Sequence, residues 1–158
     1  RQPPAALTPP FGRRAFASAA AKLRAPRELL DRVDVLIFDC DGVIWLGDKV
    51  IGGVPQVLDA LRAQGKRLFF VTNNSTKSRA GYCSKFSALG LDVGSEEIFS
   101  SSFAAAAYLQ QVKFAETGKK VYVIGERGIC DELDLAGVPW IGAEADREKV
   151  APMGRGGR

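Results

Sequence analysis

The 158-residue sequence contains no histidine, a single methionine and three cysteines. Without histidine there is no imidazole base for a Ser-His-Asp or Cys-His site, and the commonest metal ligand is missing. Cys40, Cys83 and Cys130 are odd in number and far apart. They match neither a disulfide framework nor a zinc-ligand spacing, and they suit a reducing compartment. No run approaches the roughly 20 apolar residues that cross a bilayer, so no membrane partner is expected. Any chemistry must run on carboxylates, hydroxyls, amides and lysine.

Acidic residues are also missing from positions 1–27, which carry Arg1, Arg13, Arg14, Lys22, Arg24, Arg27 and five prolines. The remainder holds 16 basic and 18 acidic residues, so the net charge of +4 belongs to the leading segment. A slightly acidic body argues against a nucleic-acid surface. The segment "RQPPAALTPPFGRRAFASAAAKLRAPR" is rich in alanine and arginine and lacks a secretory apolar core. It reads as an organelle transit peptide, with an address-free basic tail as the rival reading. The chain as a whole, 46% hydrophobic and 25% charged, has a globular composition and the length of one ordinary domain.

From Glu28 onward the pattern is regular. "VDVLIFD" is a β-branched apolar run of strand length that reads as a central parallel strand covered on both faces. "VPQVLDALRAQGKR" has Val54, Val57, Leu58 and Leu61 at helical spacing and Gly65 as a C-cap. "LFFVTNNS" is a second short strand, and "TKSRAGYCSKFSALG" a helix with Tyr82, Phe86 and Leu89 on one face and Gly90 as its stop. The alternation continues with a helix over "EEIFSSSFAAAAYLQQVKFA", a strand over "KKVYVIGE", a helix over "RGICDELDLAG" and a short strand over "VPWIGA". The glycines of "GERG" read as a strand-to-helix turn, because the Walker lysine and spacing are missing. Strand–helix alternation at this spacing predicts an α/β fold with a parallel sheet.

In such sheets ligands bind beyond the carboxyl ends of the strands, and here those ends carry Asp39–Asp41 and Thr72–Ser75. Two carboxylates two residues apart at a strand tip repel one another. A hard divalent cation resolves the repulsion; Mg²⁺ is usually held by one or two carboxylates, with water and a substrate phosphate completing its shell. Thr72, Asn73, Asn74 and Ser75 offer hydroxyls and amides to phosphate oxygens. With Asp39 fixed at the strand end as nucleophile and Asp41 in the loop as acid and base, the pattern points to phosphoester hydrolysis through an aspartyl-phosphate. Against this stands a bland reading of turn aspartates and an Asn-rich turn in which Ser75 or Thr76 caps a helix. Cys40 reads as a core residue, and Trp45 and Trp140 as packing.

"DCDGVIW" together with "VTNNS" resembles the first two motifs of the haloacid dehalogenase-like phosphatases. The wording over residues 33–142 is similar to the branch that contains 2-phosphoglycolate phosphatase, 4-nitrophenylphosphatase and pyridoxal phosphate phosphatase. The resemblance implies a Rossmann-like parallel core, present in part, followed by the beginning of an α/β cap. It divides the chain into a transit-like segment (1–27), a partial core (28–95), the start of a cap (96–142) and an irregular tail (143–158). It implies that Asp39 is nucleophile and metal ligand, that Asp41 is acid/base and lends its carbonyl to Mg²⁺, and that Thr72 and Asn73 grip phosphate. The implied substrate is a small phosphorylated metabolite, 2-phosphoglycolate foremost. The implied location is the chloroplast, with the cytoplasm as alternative, and a homo-oligomer is compatible. The family's phosphate-binding lysine and late acidic motif lie after the cap, and neither "GAEADREK" nor Lys149 matches them. The alternative is therefore a catalytically incomplete fragment or splice form that acts as a binding or partner-assembly module.

Overall fold

A computed structural model describes residues 26–146. The transit-like reading of the leading segment and most of the irregular tail fall outside those residues. The chain divides into two compact units, one up to Arg32 and one from Val33. The described part of the first is a short helix, α1 (Pro26–Leu30), closed by bonds from Asp31 N to Arg27 O and Arg32 N to Leu29 O, both 3.0 Å.

In chain order the second unit runs β1 (Val35–Asp39), a hairpin of β2 (Trp45–Leu46) and β3 (Lys49–Val50), α2 (Val54–Ala63) and β4 (Arg67–Thr72). It continues with α3 (Arg79–Ala88), β5 (Ile98–Ser100), α4 (Ser101–Gln111), β6 (Val121–Val123), α5 (Arg127–Leu135) and β7 (Trp140–Gly142). Single 3₁₀ turns occupy Ser95–Glu97, Phe114–Thr117 and Ala143–Asp146, the last falling where an irregular tail was expected. The main sheet is parallel, ordered β1-β4-β5, in the register Asp39↔Val71 and Thr72↔Ser100. A second parallel pair joins β6 to β7. The expected α/β fold with a parallel sheet is what the chain forms.

Three helices end in the same way, and the endings fix where the next segment starts. After α2, Gly65 N bonds to Arg62 O (2.9 Å) and Lys66 N to Leu61 O (3.1 Å). Gly90 and Leu91 repeat this after α3, and Gly137 and Val138 after α5. Each is a Schellman closure whose left-handed glycine, at φ 73°, 74° and 67°, carries no Cβ to strain. Leu91 and Val138, the residues just past two of these glycines, are buried and so seal their helix ends.

Two expectations need correction. The helix expected over 96–115 is interrupted, because Ile98–Ser100 pairs with β4 as β5 and the helix begins only at Ser101. Ser100 is buried and its Oγ accepts from Phe103 N at 3.2 Å, a serine cap that stops the alanine-rich helix from extending backward. β5 thus joins β1 and β4 in the main sheet and does not continue the helix. Nor is β1 covered on both faces. Among the described residues it is an edge strand, and Ile37 on it is 68% exposed beside Val71 and Phe99, each 41% exposed.

The opposite face of the sheet is closed. Leu68, Phe70 and Ile98 are buried beneath α2 and α3, where Phe86 stands 4.9 Å from Phe70 and 4.9 Å from Trp45 by ring centroids. Ala106, Val123, Cys130, Leu133 and Val138 form a second cluster between α4, α5 and the β6–β7 pair. The two regions are tied by Glu132 of α5, 1% exposed, which accepts from Arg79 N at 2.6 Å and from Arg79 Nε at 3.2 Å. The Arg79 guanidinium in turn lies 3.8 Å from the Phe103 ring centroid.

Removing Glu132 leaves the first amide of α3 and a partly buried guanidinium without their acceptor. Glu132→Ala is expected to destabilise the fold by about 2–4 kcal/mol. Glu132→Gln, which keeps an oxygen for Arg79 N, should lose less. Urea midpoints of the three chains check this, and an alanine variant within about 0.5 kcal/mol of the parent would rule out the tie.

Candidate active site

Asp39 closes β1, and its Oδ1 accepts from the next amide, Cys40 N, at 2.8 Å. The chain then folds back on the Cys40 carbonyl, which accepts from Ile44 N (2.8 Å) and Trp45 N (3.2 Å). Gly42 N donates to Trp45 O at 2.7 Å, with Gly42 at φ 82°, a conformation that favours glycine directly after Asp41. This tight return brings the fully buried Trp45 back to Asp41, and its indole Nε1 donates to Asp41 Oδ1 at 2.8 Å. Asp39 and Asp41 both remain exposed to solvent.

Between them Cys40 is fully buried. Its thiol is pushed up to about 12, first by burial and then by the charges of Asp41 and Asp39, which therefore bear on one point; Lys85 of α3 opposes them. The Lys85 ammonium stands 4.4 Å from the Trp45 ring centroid.

The second strand end lies beside the first. Asp39 is in register with Val71, so Thr72 is one residue further along the adjacent strand, and neighbouring strands are about 4.8 Å apart. Thr72 is buried, and its Oγ1 accepts from Asn74 N at 3.1 Å. Asn73 is exposed, and its carbonyl accepts from Ser101 Oγ at 2.9 Å. Tyr82 of α3 links the two ends: burial pushes its hydroxyl up, a hydrogen bond with Thr72 opposes the shift, and the charge of Asp41 adds to it. The same hydroxyl donates to Asn74 O at 3.2 Å. Asp39, Asp41, Thr72 and Asn73 are thus gathered at the carboxyl ends of two adjacent parallel strands.

The loop that carries Asn73 and Asn74 is held from behind. Ser102 Oγ donates to Lys77 O at 3.0 Å, Gly128 N donates to Thr76 O at 3.3 Å, and Asn74 Oδ1 accepts from Thr76 N at 2.9 Å. The following helix is capped by Ser78, whose Oγ accepts from Gly81 N, and not by Ser75 or Thr76. Those two residues lie in the loop, two and three positions short of the cap. Four residues with a place at this mouth were not singled out for it by the sequence reading: Trp45, Tyr82, Lys85 and Gly128. Trp45 carried a local signal, being four residues from Asp41 across a glycine turn. The others are distant in sequence and meet the strand ends only through packing.

The oxygen donors at the mouth suit a hard cation. Asp39 and Asp41 concentrate negative charge at one solvent-exposed tip, and such a cation takes the rest of its shell from water and phosphate. Among the described residues no group of three or more histidine, cysteine, aspartate or glutamate side chains is placed so that it could by itself hold a metal ion.

Several known proteins are similar to this chain. A family model described as haloacid dehalogenase-like hydrolase matches residues 36–139. The chloroplastic phosphoglycolate phosphatase 1A of Arabidopsis thaliana is 60% identical over 133 residues, covering 84% of this chain and 36% of that protein. The 4-nitrophenylphosphatase of Schizosaccharomyces pombe is 44% identical over 146 residues, covering 84% of this chain and 49% of that protein. Among solved structures, a p-nitrophenyl phosphatase from Archaeoglobus fulgidus superposes with a TM-score of 0.61 at 34% identity, covering 68% of this chain and 40% of that one. A glycerol phosphate phosphatase from Mycobacterium tuberculosis, solved in complex with magnesium, gives a TM-score of 0.61 at 28% identity, covering 75% of this chain and 35% of that one. The chain spans about a third to a half of the length of these relatives.

Two outcomes follow for the scaffold of the mouth. A Cβ at Gly128 would stand 2.6 Å from the Lys77 Cα and N. Gly128→Ala should therefore cost about 1–3 kcal/mol and speed hydrogen exchange through residues 73–78; unchanged exchange there would show that the contact does not hold the loop. Cys40 should stay unalkylated in the folded chain at pH 8, where half-buried Cys83 reacts first, as read by peptide mass mapping. A raised thiol pKa favours the folded state below the ordinary value of 9.0, and that advantage fades as pH climbs toward about 12. Cys40→Ala should accordingly show a shallower alkaline loss of stability than the parent.

Proposed function

This chain belongs to the haloacid dehalogenase-like hydrolase family, and from that premise we propose that its β1–β4 mouth serves a magnesium-dependent phosphatase. The substrate proposed is a small phosphorylated metabolite, 2-phosphoglycolate first, and the location the chloroplast. Support for those two choices comes from the names of the 60%-identical relatives, phosphoglycolate phosphatases 1A and 1B, both chloroplastic. One observation carries the reaction class: Asp39 and Thr72 end adjacent parallel strands, with Asp41 held beside them.

In this reading Asp39 attacks phosphorus, a P–O bond forms to its carboxylate, and the bond to the ester oxygen breaks. Asp41 gives its proton to the departing alkoxide. It then takes a proton from the water that attacks the aspartyl-phosphate, which releases inorganic phosphate and restores Asp39. The Thr72 hydroxyl and the Asn73 amide hold the phosphoryl oxygens. Asp39, through its carboxylate, and Asp41 would hold Mg²⁺, which when bound supplies positive charge against the phosphoryl oxygens.

A second reading, a catalytically incomplete module that binds a partner, draws on the open sheet face. Ile37, Phe69, Val71 and Phe99 line a concavity of about 520 Å³ that reaches Thr72 and Asn73.

Phosphate release from 2-phosphoglycolate with Mg²⁺ separates the readings. The parent chain should turn over. Asp39→Asn should fall to background, Asp41→Asn should lose about 10²–10⁴-fold in kcat, and a chelator should abolish release until Mg²⁺ is returned. Background release by parent and Asp39→Asn alike would leave the partner-binding reading.

A further inference from the structure

We infer that Trp45 is a positioning residue for Asp41, an inference that rests on the phosphatase reading. Trp45 is fully buried, so its indole N–H has no water to bond and must find an acceptor within the fold. The acceptor is Asp41 Oδ1 at 2.8 Å. A carboxylate on a solvent-exposed turn otherwise samples several rotamers, whereas one oxygen bound to a buried donor restricts the orientation of the other. A proton donor and acceptor needs that restriction, because misplacement by about 1 Å can cost about a hundredfold in rate.

The donor is itself held by contacts other than its bond to the Asp41 side chain, the backbone bridge between Asp41 and Trp45 among them. The Trp45 backbone is bonded at both ends of its peptide unit, N to Cys40 O at 3.2 Å and O to Gly42 N at 2.7 Å. Its strand pairs with β3 in the register Trp45↔Val50. Its ring meets Phe86 edge to face at 4.9 Å, and Lys85 covers a ring face at 4.4 Å. The cation on the indole face withdraws electron density and makes the N–H a better donor to the carboxylate. A residue serving only as packing would need none of these directional contacts to end on Oδ1 of the one carboxylate assigned to proton transfer.

The test on the full chain has two arms. The first needs no turnover. The two tryptophans, Trp45 and Trp140, give separate indole N–H resonances, assigned with Trp45→Phe. In Asp41→Ala the Trp45 resonance should move and exchange faster with solvent while that of Trp140 stays in place. An unmoved Trp45 resonance overturns the inference whatever the kinetics show. The second arm compares steady-state turnover of 2-phosphoglycolate with Mg²⁺. Trp45→Phe keeps the ring but loses the N–H, and should lower kcat about tenfold to a hundredfold with KM changed by less than about threefold. Phe86→Leu, which loosens the ring and keeps the N–H, should lower the urea midpoint and cost kcat less than Trp45→Phe does. Equal kcat in the parent and Trp45→Phe, or equal losses in Trp45→Phe and Phe86→Leu, overturns the positioning role alone. A parent that does not exceed the Asp39→Asn background overturns the phosphatase reading and the positioning role with it, and the first arm then marks the contact as packing.

Discussion

The parallel pairing of β1 with β4 is the constraint on which the rest of this molecule depends. Its register sets Asp39 against Val71 and so puts Thr72 one step beyond, at the next strand tip. A shift of one residue would turn Asp39 to the closed face of the sheet and Phe38 to the open one. The register is held by what lies beneath it. Phe38 and Phe70 stack at 5.9 Å, and Phe70, Phe86 and Trp45 pack in sequence on the covered side. The positions of the acidic and hydroxyl groups are therefore a consequence of aromatic packing on the covered side of the sheet.

The same packing explains how exposed charge coexists with a buried frame. Asp39 and Asp41 keep their carboxylates in solvent, where charge costs little, while each has one oxygen bound to a fixed N–H: the Cys40 amide or the Trp45 indole. Cys40 between them is buried and inert, its thiol held neutral by burial and by both carboxylates. The loop after Thr72 follows the same rule. Its exposed amides face outward, while α4 and α5 hold its backbone carbonyls at Asn73, Thr76 and Lys77 from behind. Glu132 adds a buried charge to that rear support, tolerable because the Arg79 amide and guanidinium meet it.

The two faces of the sheet differ sharply. One is closed by α2 and α3, and the other presents Ile37, Val71 and Phe99 to solvent among the described residues. Side chains of this kind belong to strands covered on both sides, and the apolar composition of "VLIFD" and "LFFVT" is that of such strands. Composition states what a face is suited to meet. It does not state what meets it.

Local pattern settled a good deal here. The run "VDVLIFD" and the stops at Gly65 and Gly90 follow from nearest-neighbour chemistry, namely β-branched strand propensity and left-handed glycines. The placement of Asp39, Asp41, Thr72 and Asn73 at strand ends follows from the same alternation. Local pattern misjudged Ile98–Ser100, where three residues of strand sit against an alanine-rich helix and the deciding factor is pairing with β4. It was silent on Tyr82, Lys85 and Gly128, which reach the mouth from α3 and α5. It gave Trp45 as packing, although the indole also has a hydrogen bond to make. Sequence by itself determined the elements and the chemistry at their ends, because those depend on residues a few positions apart. Only the tertiary structure decided the strand order, the open face and the partners of each polar group, because these are set by contacts between segments tens of residues apart that no local spacing encodes.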